Sequence, residues 1–141
     1  RLPKDREAVL RARYAGLDDL LSGSDFVVIS VPLSPETRGM IDRNRLRKMK
    51  KEAVLVNIAR GGIVDEAALA EALAEGRIFA TGLDVYEKEP KVHPRLLRVP
   101  SAVLLPHVGS ATTQAREGMG NLATENLLAV LSGDDPPCPV N

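Results

Sequence analysis

Apolar runs typical of strands alternate with more polar stretches along this chain. Four runs have the length and composition expected of strands. The first two are continuous and rich in β-branched residues, which predicts strands buried on both faces of a sheet. Gly82 interrupts the third, and the fourth is only four residues long. The predicted strands are 26–31, 53–58, 78–85 and 102–105.

Three stretches between and after these runs have the pattern of helices. A short amphipathic helix is predicted over 43–51. Asp65 is suited to cap a second helix, and Gly76 to end it as the C′ residue. The third helix, 112–131, carries its apolar residues on one stripe. The segment 87–100 contains three prolines and predicts a loop with at most one helical turn.

The alternation of strands and helices indicates an α/β fold with a mostly parallel sheet and flanking helices. In such sheets ligands bind beyond the carboxyl ends of the strands. Pro32 and Arg60 follow the first two predicted strands, Asp84 closes the third, and His107 follows the fourth. We therefore expect a functional site at this edge of the sheet.

Composition and charge limit the classes of partner. The 141 residues fit one ordinary domain, and 19 basic residues balance 19 acidic ones. This neutrality and an aromatic content of 3% argue against a nucleic-acid partner. No apolar run approaches the roughly 20 residues that cross a bilayer, so no membrane partner is expected. With a single cysteine, Cys138, no predicted metal site and no secretory signal, a cytoplasmic location is expected.

Arg60, Glu89 and His107 have side chains suited to a hydride transfer that turns a ketone into an alcohol. A guanidinium matches the two oxygens of a substrate carboxylate. The carbonyl oxygen gains negative charge as hydride arrives, so it needs a proton donor. A carboxylate beside a histidine favours the protonated imidazole and orients the ring. Taken singly, each residue has a plainer interpretation: a solvated charge, a surface acid and a structural loop residue.

Four segments, in order, resemble the D-2-hydroxyacid dehydrogenase family. The segment 57–66, NIARGGIVDE, resembles the second signature of that family, and 25–37 resembles the segment that precedes it. The segment 82–90, GLDVYEKEP, looks like the one with the catalytic glutamate of the family, and 105–112, LPHVGSAT, like the one with its catalytic histidine. The resemblance implies a Rossmann-like dinucleotide-binding fold.

The resemblance also implies residue roles. Arg60 would bind the substrate carboxylate, Glu89 would support His107, and His107 would transfer the proton. Gly109 and Ser110 would also meet the substrate, together with Arg60 and His107. The expected cofactor contacts are Arg1, Pro32, Thr37, Ile58, Ala59, Asp84 and Gly109.

Within the family, the strings look most like glyoxylate/hydroxypyruvate reductases. The implied reaction reduces a 2-oxo acid, glyoxylate or hydroxypyruvate, to the 2-hydroxy acid with NAD(P)H. The end of the second Rossmann strand carries an acidic residue for NAD or an Arg for the 2′-phosphate of NADP. Because Arg1 stands near that place, NADPH is the favoured cofactor and NAD the alternative.

The G-x-G-x-x-G fingerprint of the first βαβ unit does not follow any predicted strand. We therefore expect an incomplete Rossmann domain that belongs to a longer protein. Residues 1–111 would form the C-terminal part of the dinucleotide-binding domain, and 112–141 an interdomain helix and tail that return to a substrate domain. At full length a homodimer is expected, and the activity of the 141-residue chain by itself stays open.

Other interpretations fit the same residues. A dinucleotide-sensing corepressor with the dehydrogenase fold can retain the Arg, Glu and His. An inactive fragment is a second alternative. Phosphoglycerate dehydrogenase, within the same family, is a third, and a panel of substrates would distinguish it.

Overall fold

The computed structural model describes residues 3–140. Contacts between Cα atoms divide the chain into two compact units, the first ending at Pro106 and the second beginning at His107. The first unit contains α1 (Lys4–Val9), α2 (Leu17–Gly23), β1 (Phe26–Ile29), α3 (Arg43–Leu46), β2 (Val54–Asn57), α4 (Glu66–Ala74), β3 (Ala80–Leu83), a 3₁₀ turn (Leu96–Arg98) and β4 (Ala102–Leu104). The second unit contains α5 (Thr113–Ser132).

The four strands form one parallel sheet in the order β1-β2-β3-β4. One row of the register runs through Val27, Leu55, Thr81 and Ala102. The prediction of a parallel α/β sheet with flanking helices is therefore confirmed. Parallel pairing also brings the four carboxyl ends to the same edge, as the site prediction requires.

One face of the sheet is covered, whereas the other is exposed along β1 and only half-buried along β2. The prediction that the first two strands are buried on both faces is therefore wrong. Burial alternates along β1, with Val27 and Ile29 buried while Phe26 is 74% exposed and Val28 57% exposed. Side chains alternate between the faces of a strand. The helices α2, α3 and α4 pack against one face of the sheet only. Leu21, Leu46 and Leu69 join its buried residues in a single core.

The strands and α3 are shorter than predicted, although each lies where expected. The strand predicted over 26–31 ends at Ile29, and the helix predicted over 43–51 ends at Leu46. The helices α1 and α2 were not predicted. The loop prediction for 87–100 is confirmed with its single turn of 3₁₀ helix.

The predicted start and end of α4 are confirmed. The Asp65 carboxylate accepts a hydrogen bond from the backbone N–H of Ala68 at 2.9 Å. Gly76 follows the helix with φ of 63°, in the left-handed region that glycine occupies without strain. These two signals fix the length of α4 and place its N-terminus after the loop that carries Arg60.

In the second unit, α5 begins at the Thr112 cap and ends at Gly133, whose φ is 82°. None of its residues is buried in this chain. The predicted apolar stripe is therefore exposed, through Met119, Leu122 and Leu127 among others. Across residues 3–140, every helix is too short or too polar to span a membrane.

Candidate active site

Four of the predicted site residues line one cleft at the carboxyl ends of β1 and β2. Pro32, Ile58, Ala59 and Arg60 surround a volume of about 590 Å³, together with Ser30, Val31 and Leu33. The loops that follow two adjacent parallel strands form its walls. The structure therefore brings three predicted cofactor contacts and the predicted carboxylate-binding residue to the same cleft.

Thr37 shapes the loop after β1 through its hydroxyl group. The hydroxyl donates to the carbonyl of Pro32 at 2.7 Å and accepts from the N–H of Ser34 at 2.8 Å. These bonds hold Pro32 at the edge of the cleft. The direct contact of Thr37 with a cofactor stays a prediction.

Asn57 fixes the turn that leads to Arg60. Its side chain is only 1% exposed, and Oδ1 accepts from the N–H of Ala59 at 3.1 Å while Nδ2 donates to the carbonyl of Arg60 at 2.9 Å. Arg60 is exposed, and its Nη1 donates to the carbonyl of Ala59 at 2.7 Å. The sequence analysis missed Asn57, although an asparagine that ends a strand before a glycine pair is a turn signal.

The loop after β3 lies directly against Gly61. A Cβ atom built on Gly61 would stand 1.9 Å from the carbonyl carbon and oxygen of Tyr86 and 2.4 Å from the nitrogen of Glu87. Only glycine permits this approach of two backbones. The neighbouring Gly62, with φ of 73°, makes the turn itself. The loop that carries Arg60 and the loop that leads to Glu89 are thus in contact.

After β3, backbone N–H groups make hydrogen bonds that involve both predicted acidic residues, Asp84 and Glu89. The N–H of Asp84 donates to the carbonyl of Asn57 at 3.0 Å, and Asp84 is buried. The N–H of Tyr86 donates to Oε1 of Glu89 at 3.0 Å, and the side chain of Glu89 is exposed. The peptide bond between Glu89 and Pro90 is cis.

Tyr86 joins the ends of β3 and β4. Its hydroxyl lies 2.8 Å from the carbonyl oxygen of Leu105 and 3.2 Å from that of Leu83. Burial raises the pKa of the Tyr86 hydroxyl, and the nearby carboxylates of Asp84, Glu66 and Glu89 raise it further. The phenol therefore stays protonated and can donate its hydrogen.

Glu66 is a second residue that the sequence analysis missed. It is the first residue of α4, is 7% exposed, and accepts a hydrogen bond from the backbone N–H of Glu87. Its sequence neighbour Asp65 drew attention as a helix cap, whereas the partner of Glu66 is 21 residues away along the chain. Only the folded chain reveals that contact.

The remaining predicted residues lie in the second unit or outside the described residues. His107 begins the second unit with φ of 57°, a left-handed conformation that is uncommon for residues other than glycine. Gly109 and Ser110 are exposed in a turn closed by a hydrogen bond from the N–H of Ala111 to the carbonyl of Val108 at 2.9 Å. Arg1 lies outside the described residues.

A metal centre was not predicted, and residues 3–140 contain no group of three or more His, Cys, Asp or Glu side chains that could hold a metal ion.

Comparison with known proteins bears on the identity of the chain. Residues 1–109 match the family model described as D-isomer specific 2-hydroxyacid dehydrogenase, NAD binding domain. The chain belongs to this family. The resemblance carried by the four sequence segments is therefore confirmed. The fold agrees, since this chain has the parallel sheet expected of a Rossmann-like domain.

Relatives of this chain include reductases. It is 53% identical to a glyoxylate reductase of Thermococcus kodakarensis over 97% of the chain, and 52% identical to glyoxylate/hydroxypyruvate reductase B of Serratia proteamaculans over 94%. In both cases the match covers 41% of the relative. The chain thus spans about two fifths of the length of these relatives and corresponds to their C-terminal part.

Solved structures of related proteins share the fold of this chain. A Thermus thermophilus protein superposes over 100% of the chain and 44% of its own length, with a TM-score of 0.91 and 46% identity. An NADPH-dependent glyoxylate/hydroxypyruvate reductase from Sinorhizobium meliloti, in complex with NADP and malonate, superposes over 92% of the chain and 40% of its own length, with a TM-score of 0.86 and 37% identity. The fold of this chain is therefore that of the corresponding part of these solved structures.

Proposed function

We propose that this chain is the C-terminal part of an enzyme that reduces glyoxylate and hydroxypyruvate to the 2-hydroxy acids with NAD(P)H. One observation carries the proposal most strongly. Arg60 lies in a cleft with Pro32, Ile58 and Ala59, and its loop touches the loop that leads to Glu89. The names of the reductases from Thermococcus kodakarensis and Serratia proteamaculans support the substrate class.

The residues of the cleft suit a nicotinamide. Val31 is 38% exposed and Ile58 56% exposed, so the cleft offers apolar side chains to a flat ring. Asp84 directly follows β3, and its carboxylate would accept a hydrogen bond from the carboxamide N–H. The nicotinamide of the cofactor supplies the hydride when it is bound. Pro32, Ile58 and Ala59 would hold that ring, and Asn57 keeps Ala59 in place.

Arg60 would bind the substrate carboxylate with its guanidinium. Two parallel N–H donors match the two carboxylate oxygens, which a lysine ammonium cannot do with the same geometry. The exposed position of Arg60 at the cleft leaves it accessible to a small acid. The positive charge next to the carbonyl also stabilises the oxygen as negative charge develops there.

Glu89 and His107 would supply the proton. His107 would donate to the carbonyl oxygen as the alcohol forms, and the Glu89 carboxylate would support His107 in that step. Tyr86 holds the Glu89 carboxylate from one side by its backbone N–H. The left-handed backbone of His107 supports a functional role, because such conformations concentrate at active sites.

NADPH remains the favoured cofactor in this proposal. Arg1 is the residue that would meet the 2′-phosphate, and the Sinorhizobium meliloti reductase, 37% identical, is NADPH-dependent. Values of kcat/KM with NADPH and with NADH decide between the two. A cytoplasmic homodimer with a second, substrate-binding domain completes the proposal.

Steady-state kinetics of the full-length protein test the function. We expect wild type to oxidise NADPH with hydroxypyruvate and glyoxylate. In Arg60→Ala and His107→Ala, kcat/KM should fall by about 100-fold or more, the usual effect of removing a charge-stabilising or proton-donating group. Arg98→Ala is the matched control, since Arg98 is an exposed arginine in the 3₁₀ turn before β4.

The control variant should keep the kcat/KM of wild type. A wild-type protein that turns over neither acid contradicts the proposed reaction. Arg60→Ala with unchanged kcat/KM contradicts the proposed role of the cleft.

A further inference from the structure

Glu66 is a buried carboxylate that the proposed chemistry does not use. Burying a charge is unfavourable unless hydrogen bonds or favourable dipoles compensate it. Glu66 has both, because it accepts a hydrogen bond from the backbone N–H of Glu87 and lies in the first turn of α4, where negative charge is favoured. The side chain therefore connects the start of α4 to the loop after β3.

The residues around Glu87 explain what this connection holds. On one side of Glu87, the N–H of Tyr86 donates to the carboxylate of Glu89. A Cβ atom on Gly61 would collide with the peptide group that joins Tyr86 and Glu87. The Tyr86–Glu87 peptide thus lies against Gly61 and is fixed there by Glu66.

We propose that Glu66 is a positioning residue, which fixes the loop that orients Glu89 against the loop that carries Arg60. This inference rests on the proposed function, since it explains how Glu66 positions a residue that takes part in that reaction. Glu66 reaches neither substrate nor cofactor in the proposal. It acts through the Glu87 N–H, and through it on the Tyr86 N–H that holds the Glu89 carboxylate.

Three substitutions of Glu66 distinguish the effects of side-chain length, negative charge and the acceptor oxygen. Glu66→Gln keeps the length of the side chain and an acceptor oxygen but removes the charge. Glu66→Asp keeps the charge but withdraws the carboxylate by about 1.5 Å, one carbon–carbon bond. Glu66→Leu keeps the volume and removes the acceptor. Because Asp and Gln are both polar, the comparison between them holds even if the Leu variant fails to fold.

The experiment uses the full-length protein with hydroxypyruvate and NADPH. We expect kcat of Glu66→Asp and Glu66→Leu to fall by about 10- to 100-fold, since a small displacement of a reacting group is that costly. The dissociation constant for NADPH should stay within about twofold of wild type, because Glu66 does not line the cleft that contains Pro32, Ile58 and Ala59. The solvent deuterium isotope effect on kcat should rise as proton donation becomes slower. Glu66→Gln should restore kcat to within about threefold of wild type.

Hydrogen exchange gives a readout that does not depend on activity. The amide of Glu87 should exchange faster in the Asp and Leu variants than in wild type and Glu66→Gln. Glu71→Gln is the control on the same helix, since Glu71 pairs with Arg43 of α3. Its kcat, isotope effect and Glu87 exchange should match those of wild type.

Two results would overturn the inference. One is a folded Glu66→Asp with the kcat and isotope effect of wild type. The other is a loss of kcat in Glu66→Gln equal to that in Glu66→Asp. Failure of the proposed function looks different, because wild type itself would then lack hydroxypyruvate reduction while the exchange of Glu87 would still respond to Glu66.

Discussion

At the scale of single residues, Gly61 sets the distance between the loop that carries Arg60 and the loop that leads to Glu89. Its missing side chain leaves the space that the backbone of Tyr86 and Glu87 occupies. Overpacked positions force backbone shifts that are costly to a folded protein. The glycine pair after Arg60 therefore does more than make a turn, because one member turns the chain and the other admits a neighbouring loop.

Replacing Gly61 by alanine tests this interpretation. The added methyl group would stand 1.9 Å from the carbonyl carbon of Tyr86, so the two loops must separate. We expect the free energy of unfolding to fall by about 3 kcal/mol, the upper part of the range for overpacking. Urea denaturation of wild type and variant measures the difference.

Gly23→Ala is the matched control, because Gly23 ends α2 in open space with no positive φ. Its free energy of unfolding should change by less than about 1 kcal/mol. A Gly61→Ala protein as stable as the Gly23→Ala protein would show that the two backbones are not in contact.

Sequence reasoning found the residues with distinctive chemistry and missed those that place them. Arg60 was predicted because its chemistry and its neighbouring string are both local. Asn57 was missed although its partners lie two and three residues away, so a turn signal was present. Glu66 was missed because its meaning depends on Glu87, which no pattern along the chain connects to it.

At the scale of elements, Tyr86 couples the end of β3 to the end of β4. The Tyr86 hydroxyl donates toward the carbonyl oxygens of Leu83 and Leu105, and it can do so only while the phenol is protonated. Since the folded pKa of Tyr86 is raised above its unfolded value, the neutral form is favoured by folding. The stability that it contributes is complete below the unfolded pKa and is lost as pH rises through the folded one.

This coupling predicts a stability that falls on the alkaline side, above about pH 10. Tyr86→Phe should lower the free energy of unfolding near pH 8 by about 1 kcal/mol, through loss of the hydroxyl hydrogen bonds. The same variant should lose less stability than wild type between pH 8 and the alkaline range. Urea denaturation across that range measures both effects.

Tyr14→Phe provides the comparison, since Tyr14 is exposed. It should follow the pH dependence of wild type. If Tyr86→Phe follows that dependence as well, the phenol does not join the two strands in the way that the structure indicates.

The elements themselves were predictable to different degrees. The strands were found because apolar runs bounded by proline, glycine or charge are local signals. Their ends were less accurate, because apolar residues continue past the last paired residue at Val31 and Val85. The helices α1 and α2 were missed because they have six and seven residues, fewer than periodicity needs, and bury only Leu21 between them.

At the scale of the whole molecule, the open face of the sheet is the main difference from expectation. A continuous apolar run predicts a strand with helices packed on both of its faces. On the buried face of the sheet these helices are α2, α3 and α4. The other face leaves Phe26, Val28 and Val103 exposed. A sequence pattern reports how apolar a strand is, whereas its burial depends on which elements pack against each face of the sheet.

The family assignment and the parallel sheet were both predictable, because four segments and the strand–helix alternation pointed the same way. The catalytic set is the central claim that builds on them. Its direct test is a crystal structure of the full-length protein with NADP and oxalate, a two-carbon dicarboxylate. The decisive distances join Arg60 to the oxalate oxygens and the Glu89 carboxylate to the His107 imidazole.

We predict that both distances lie in the range of hydrogen bonds, about 2.7–3.2 Å. Glu66 should still contact the backbone N–H of Glu87 in that complex. A structure in which the Glu89 carboxylate and the His107 ring are separated by more than about 4 Å with no bridging water, and Arg60 points away from oxalate, would contradict the account.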